Sequence, residues 1–223
     1  MTSGFFVWRM AVSEEYSDIF SGFLFCQAAP VDPALIPPEV SLMLPNRDGQ
    51  AALLKSLEAG RSELHDQTVG LFLSDPFLRL EPLAERLKSN GVDTVVNFPS
   101  VEQQDMEFTS LLSDVGLDKN LEHENLSALS NLGFKIGVVA NTEDGAADAA
   151  GLSPAFMLVV PKVPDFAAGF PSMRQRGTLA QAVRRGAAKK GWKGPILTIG
   201  QETEADFPTL WPDGVAGVVS FTG

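Results

Sequence analysis

Short apolar runs that alternate with helix-patterned segments constrain this chain more than any other feature. The runs span 5–10, 22–26, 68–73, 94–98, 135–140, 156–160, 195–199 and 215–221. Several are apolar without alternation, among them Val69-Gly70-Leu71-Phe72-Leu73 and Ile136-Gly137-Val138-Val139-Ala140. That is the pattern of parallel strands covered on both faces. Between the runs, apolar residues recur at helical spacing. Leu53, Leu54 and Leu57 follow Asp48, a fitting N-cap. Leu80, Leu83, Ala84 and Leu87 follow Asp75-Pro76, where Asp can cap and Pro suits a first turn. Phe108, Leu111 and Leu112 mark another helix, and Leu126, Leu129 and Leu132 the next. A short one is expected at 146–150, and 178–190 carries Leu179, Ala182, Val183 and Ala187.

Eight strands alternating with helices predict a (β/α)8 TIM barrel, one domain over 1–223. Its first helix, within 11–21, is short, and no helix follows its last strand. A doubly wound open sheet is the alternative reading of the same alternation. The proline-rich stretch 30–45 reads as a long loop across the barrel mouth.

Composition narrows the function. One cysteine, Cys26, excludes a disulfide scaffold and a cysteine-cluster zinc site, and two histidines leave little for a histidine-ligated metal. A net charge of -11 argues against nucleic acid, whose phosphates are bound by basic side chains. No apolar run approaches the roughly 18 residues of a membrane span. The short Phe5-Phe6-Val7-Trp8, with Arg9 behind it, reads as a strand rather than an export signal, which makes the cytoplasm the expected location.

In a barrel of parallel strands, residues just past the strand ends converge on one mouth. Those positions are Arg9, Gln27, Asp75, Asn97, Asn141, Lys162, Gly200 with Gln201, and Thr222. Asp75 is the leading catalytic candidate, as a base or a magnesium ligand, although Ser74-Asp75-Pro76 also suits a plain helix start. Asn97 could orient a ligand oxygen or secure the Phe98-Pro99 turn. Lys162 could meet a carboxylate or phosphate, or be a solvated loop residue. Arg9, Gln27, Asn141 and Arg174 complete the ligand-binding candidates, with Asn141 equally readable as a helix cap. Cys26, inside a strand run, reads as a buried structural thiol. The charge runs are uneven. Residues 173–193 hold Arg174, Arg176, Arg184, Arg185, Lys189, Lys190 and Lys193 with no acid, whereas 102–124 hold seven acids against Lys119. Solvated helix faces account for most of both, and His123, between Glu122 and Glu124, reads as exposed. Walker, dinucleotide, His-Glu-x-x-His and Gly-x-Ser-x-Gly signatures are missing.

Some segments resemble a known family. Gly70-Leu71-Phe72-Leu73-Ser74-Asp75-Pro76-Phe77, then Gly91-Val92-Asp93-Thr94-Val95-Val96-Asn97-Phe98-Pro99, resemble the phosphoenolpyruvate-hydrolase-like TIM-barrel family, some of whose members are called TIM-barrel signal-transduction proteins. Leu42-Met43-Leu44-Pro45, Gly116-Leu117 with Leu121-Glu122-His123-Glu124, and 214–221 are similar to further stretches of it. The chain departs from the family at Arg9-Met10-Ala11-Val12-Ser13, where a glycine-rich turn is usual. It departs again at Val160-Pro161-Lys162 and Ile199-Gly200-Gln201, where histidines are usual.

The resemblance implies a barrel that handles phosphoenolpyruvate- or pyruvate-like acids, with lyase or hydrolase chemistry. Asp75 would do metal or base work, Asn97 would orient substrate, and Arg9 or Lys162 would stabilise an enolate. Magnesium fits that chemistry, with Asp75 the one clear mouth carboxylate. A diverged, catalytically inactive ligand-binding or regulatory barrel, or a structural partner-binding protein, is the competing expectation. Apolar residues of the last strand near the closure predict a homo-oligomer through the flank of the first and last strands.

Overall fold

The first strand is where sequence and structure part. The structure, a computed structural model, describes residues 5–19, 22–27, 36, 38–41, 49–59 and 67–222. Within them β1 (Phe5–Val12), β2 (Phe23–Gln27), β3 (Gln67–Gly70), β4 (Val92–Val96), β5 (Lys135–Val139), β6 (Phe156–Val159), β7 (Ile196–Gly200) and β8 (Gly217–Phe221) close into a barrel in sequence order. From β2 to β8 each neighbouring pair is parallel. β1 is antiparallel to both its neighbours, with Trp8 opposite Leu24 of β2 and Phe221 of β8. The expected TIM barrel of eight parallel strands is therefore corrected to a closed mixed barrel. The physical reason lies in the first connection. Ten residues, 13–22, separate Val12 from Phe23, and among the described ones the regular structure is the 3-10 turn Glu14–Ile19. A parallel crossover takes a dozen residues or more, usually with a helix, so the chain turns back instead.

The helices α1 (Pro38–Ser41), α2 (Gly49–Ala59), α3 (Leu80–Ser89), α4 (Met106–Asp114), α5 (Lys119–Asn131), α6 (Glu143–Ala150), α7 (Met173–Lys189) and α8 (Glu202–Ala205) lie between the strands. Strand side chains divide by the two-residue period. Trp8, Met10, Leu24, Cys26, Val96, Val139, Phe156, Leu158, Leu197, Ile199 and Val219 fill the interior with Phe98. Val69, Val95, Ile136, Val138, Met157 and Val159 face outward against Leu83, Leu87, Leu126, Leu129 and Val183 of the helices. Each such fully buried side chain contributes roughly 1.5–3 kcal/mol. Edge-on contacts of Trp8 with Phe98 (5.4 Å) and Phe221 (5.6 Å) pack the barrel toward the C-terminal ends of β4 and β8. α6 and α7 touch backbone to side, since a methyl added to Gly186 would lie 1.9 Å from the carbonyl oxygen of Glu143.

One expected helix start differs. α3 begins at Leu80 with Arg79 in the cap position, four residues beyond Asp75. The cap expected at Asp48 lies outside the described residues, as do most of the 30–45 loop and the resembling stretch 42–48.

Candidate functional site

The C-terminal ends of β4, β5 and β6 carry a bonded polar cluster. It begins with two asparagines that do the same work one strand apart. Just past β4, Asn97 accepts through Oδ1 the N–H of Val139 at 2.8 Å. Past β5, Asn141 accepts the N–H of Val160 at 3.0 Å. Each amide thus satisfies a backbone donor that the sheet ladder leaves over at the strand end, where an unpaired group would be costly. The amide nitrogen of Asn97 leads to the Glu122 carboxylate, and Asn141 reaches the Glu102 carboxylate through its backbone N–H. Asn97 Nδ2 donates to Glu122 Oε2 at 2.8 Å and more weakly to Ser100 Oγ at 3.3 Å. Asn141 donates its backbone N–H to Glu102 Oε2 (3.1 Å) and Nδ2 to the Glu102 carbonyl (3.2 Å).

Ser100 joins the two halves. Its hydroxyl donates to Glu122 Oε2 at 2.6 Å and accepts the N–H of Glu102 at 3.2 Å. Ser100 and Gln103 form a capping box on the 3-10 turn Val101–Gln103, which holds Glu102 between α5 and the start of α6. Gly145, in the first turn of α6, leaves the space: a methyl there would fall 2.6 Å from Glu102 Oε1.

The two carboxyls differ in environment. Glu122 is fully buried and also accepts the N–H of Val101 at 3.0 Å. Burial pushes its pKa up to about 7, against the bonds from Ser100, Val101 and Asn97 and with the added repulsion of Glu102. Glu102 is half-buried; burial raises its pKa too, while the Asn141 N–H and the charges of Lys119 and Lys162 pull it back. Lys119 is held in place by Asp148 at 2.7 Å. His123 is half-buried beside them, and its burial, then Lys119, lower its pKa. Such opposed perturbations around strand ends mark candidate proton-handling positions.

The structure sorts the expected site residues. Asn97, Asn141 and Lys162 gather at this cluster, Lys162 two residues past Val160 with its own N–H on Asp165 Oδ2 at 2.9 Å. Asp75 stays apart: its Oδ1 takes the N–H of Phe77 at 2.8 Å, a local Asx turn. Arg9 is not at the mouth, because β1 runs the other way and places Trp8 and Met10 inside. Arg9 faces outward and pairs with Asp206. Gln27 ends β2 opposite Phe5, at the same end as the cluster. Arg174 is exposed in the first turn of α7 between two clefts, of about 290 and 410 Å3. Arg176, expected on a solvated helix face, is buried. It grips Glu204 with two bonds of 2.8 and 2.6 Å, donates to the Ile199 and Pro171 carbonyls and lies 5.2 Å over Phe170.

Glu102 and Glu122 were hidden in the acidic run. The available signal was Leu126 and Leu129, which lie on the helix face of Glu122 at i+4 and i+7. Among the described residues no group of three acids, histidines or cysteines is arranged to hold a metal ion, and no helix is long and apolar enough to cross a membrane.

The fold and site together define a closed mixed barrel with an acid-and-lysine cluster at one end. No protein-family model matches the chain. It is similar to the uncharacterized protein y4oT of Sinorhizobium fredii (strain NBRC 101917 / NGR234), with 32% identity over 101 residues, 45% of this chain and 52% of that protein. The chain thus spans about half the length of that relative.

Proposed function

We propose that the chain binds a small anionic metabolite, a carboxylate or a phosphorylated acid, at the ends of β4–β6, and that Glu102 exchanges a proton with it. The observation that carries this reading is the Glu102 carboxyl, half-buried with a raised pKa within the fields of Lys119 and Lys162. Lys162 supplies charge for the anion, and Glu102 is the base for a proton beside the ligand's carbonyl. The resemblance to the phosphoenolpyruvate-hydrolase-like family supports acids of that kind and lyase or hydrolase chemistry. Binding without turnover is the second reading, favoured because the amides of Asn97 and Asn141 are committed to backbone groups. Self-association through the β1–β8 flank stays a proposal as well. It is supported by the exposed Phe23, Phe207 and Leu210 and by the 530 Å3 groove lined by Arg9, Phe23 and Trp211.

Calorimetric titration with pyruvate, phosphoenolpyruvate and inorganic phosphate tests the site. At least one of these anions binds, and Lys162→Ala weakens it about tenfold, a loss of roughly 1.4 kcal/mol. If Glu102 is the base, deuterium from solvent enters the methyl group of pyruvate with the native protein and not with Glu102→Gln. Binding retained with no exchange selects the second reading. No heat with any of the three anions removes the proposal.

A further inference from the structure

We infer that α4 is a docking surface for a cationic amphipathic helix of a partner protein. α4 has no buried residue, yet Phe108, Leu111, Leu112 and Val115 recur at i, i+3, i+4 and i+7, the spacing of one helix face. Phe108, Leu111 and Val115 are 46%, 58% and 67% exposed. A helix of this length is marginal alone and normally gains its stability by burying such a stripe. Here the stripe faces solvent.

Charge selects the occupant. Asp105, Glu107 and Asp114 are exposed around the stripe, and residues 102–118 contain no lysine or arginine. A partner helix carrying an apolar stripe flanked by lysine or arginine satisfies both features, the helix-in-groove mode of recognition. A second copy fits worse. Pairing α4 with itself would oppose the same acids. The basic α7 of another copy offers Met173 as its one exposed large apolar residue, too little to cover the stripe. An anionic membrane surface is repelled by the same charges.

The test is fluorescence anisotropy with a labelled peptide of about 18 residues, five helical turns. It carries leucine at i, i+3, i+4 and i+7 and lysine or arginine elsewhere. A second peptide has glutamate in place of the cations. The native protein should bind the cationic peptide with a dissociation constant on the order of 10 μM and leave the acidic one free. The double variant L111D/V115D should melt as the native protein does, because both positions are exposed, and bind at least about tenfold more weakly. That variant is more negative, so attraction by charge alone would strengthen binding. Unchanged or tighter binding by the variant overturns the inference, as does native protein that binds neither peptide. A native dimer that L111D/V115D converts to monomer gives the stripe to a second copy instead. Sedimentation with zwitterionic phosphatidylcholine vesicles that is lost in L111D/V115D gives it to a membrane. Either result also overturns the inference.

Discussion

Replacing Arg176 by alanine should cost about 3–5 kcal/mol of folding stability, the scale for breaking a buried ion pair from one side. Arg176 is 1% exposed, and its guanidinium serves Glu204, the carbonyls of Ile199 and Pro171, and the face of Phe170. Its removal leaves the Glu204 carboxylate buried with only the weaker 3.3 Å bond from the Gln201 N–H. Two carbonyls lose a donor as well, and a cavity opens between α7 and the end of β7. The pair itself is a different matter: R176M/E204L replaces both charges with apolar bulk and should recover much of the loss, because the desolvation cost disappears with the charges. Urea denaturation of the native protein, R176M, E204L and R176M/E204L measures the coupling. A loss below about 1 kcal/mol for Arg176→Ala would show that the pair does not hold this end of the barrel.

The second large effect depends on pH. The pKa of Glu122 is near 7 in the fold against 4.5 in its ordinary state. Between those values the folded state binds more protons than the unfolded one, so this group's contribution falls as pH rises. Its stability is full below about pH 4.5, declines through the window and levels off above pH 7, a total of about 3 kcal/mol. His123 works the other way, because its lowered pKa favours the neutral ring and adds stability as pH rises toward 6.5. The readout is therefore the difference between the native protein and Glu122→Gln, measured by denaturation at intervals from pH 4.5 to 8. That difference should shrink steadily with rising pH. The glutamine amide nitrogen would face either Asn97 Nδ2 and Ser100 or the Val101 N–H, all of them donors to Glu122, so Glu122→Gln should be less stable than the native protein at the acid end. A difference that stays constant would mean Glu122 titrates as an ordinary carboxylate, and one that grows with pH would mean the fold lowers its pKa.

The strands were legible because unbroken apolar runs between turn residues are hard to place anywhere except a covered sheet. Strand direction was less so. An apolar strand reads alike in both orientations, and only the short 13–22 connection carried the information that β1 turns back. That one reversal moved Arg9 from the expected mouth to the outer wall. Asn97 and Asn141 stood out because polar amides close apolar strand runs, but their bonds to Val139 and Val160 depend on the stagger between neighbouring strands, which no local pattern states. Glu102, Glu122 and Arg176 were harder still. Each lies in a run of like charge, and such runs read as solvent-facing. Burial separates them from their neighbours only when the leucines and alanines beside them are assigned to one helix face.

In the proposed site, Glu102 keeps its proton above the usual carboxylate range and would sense an anion bound beside Lys162. A carbon-13 NMR titration of its side-chain carboxyl, with and without phosphoenolpyruvate, reads this directly. The free protein should show Glu102 titrating above 4.5, with Lys162→Ala moving it higher because a charge that pulls it down is gone. Saturating phosphoenolpyruvate should raise it further, since a second negative charge disfavours ionisation. An ordinary pKa that neither Lys162→Ala nor phosphoenolpyruvate moves would contradict the assignment of this end of the barrel as the functional site.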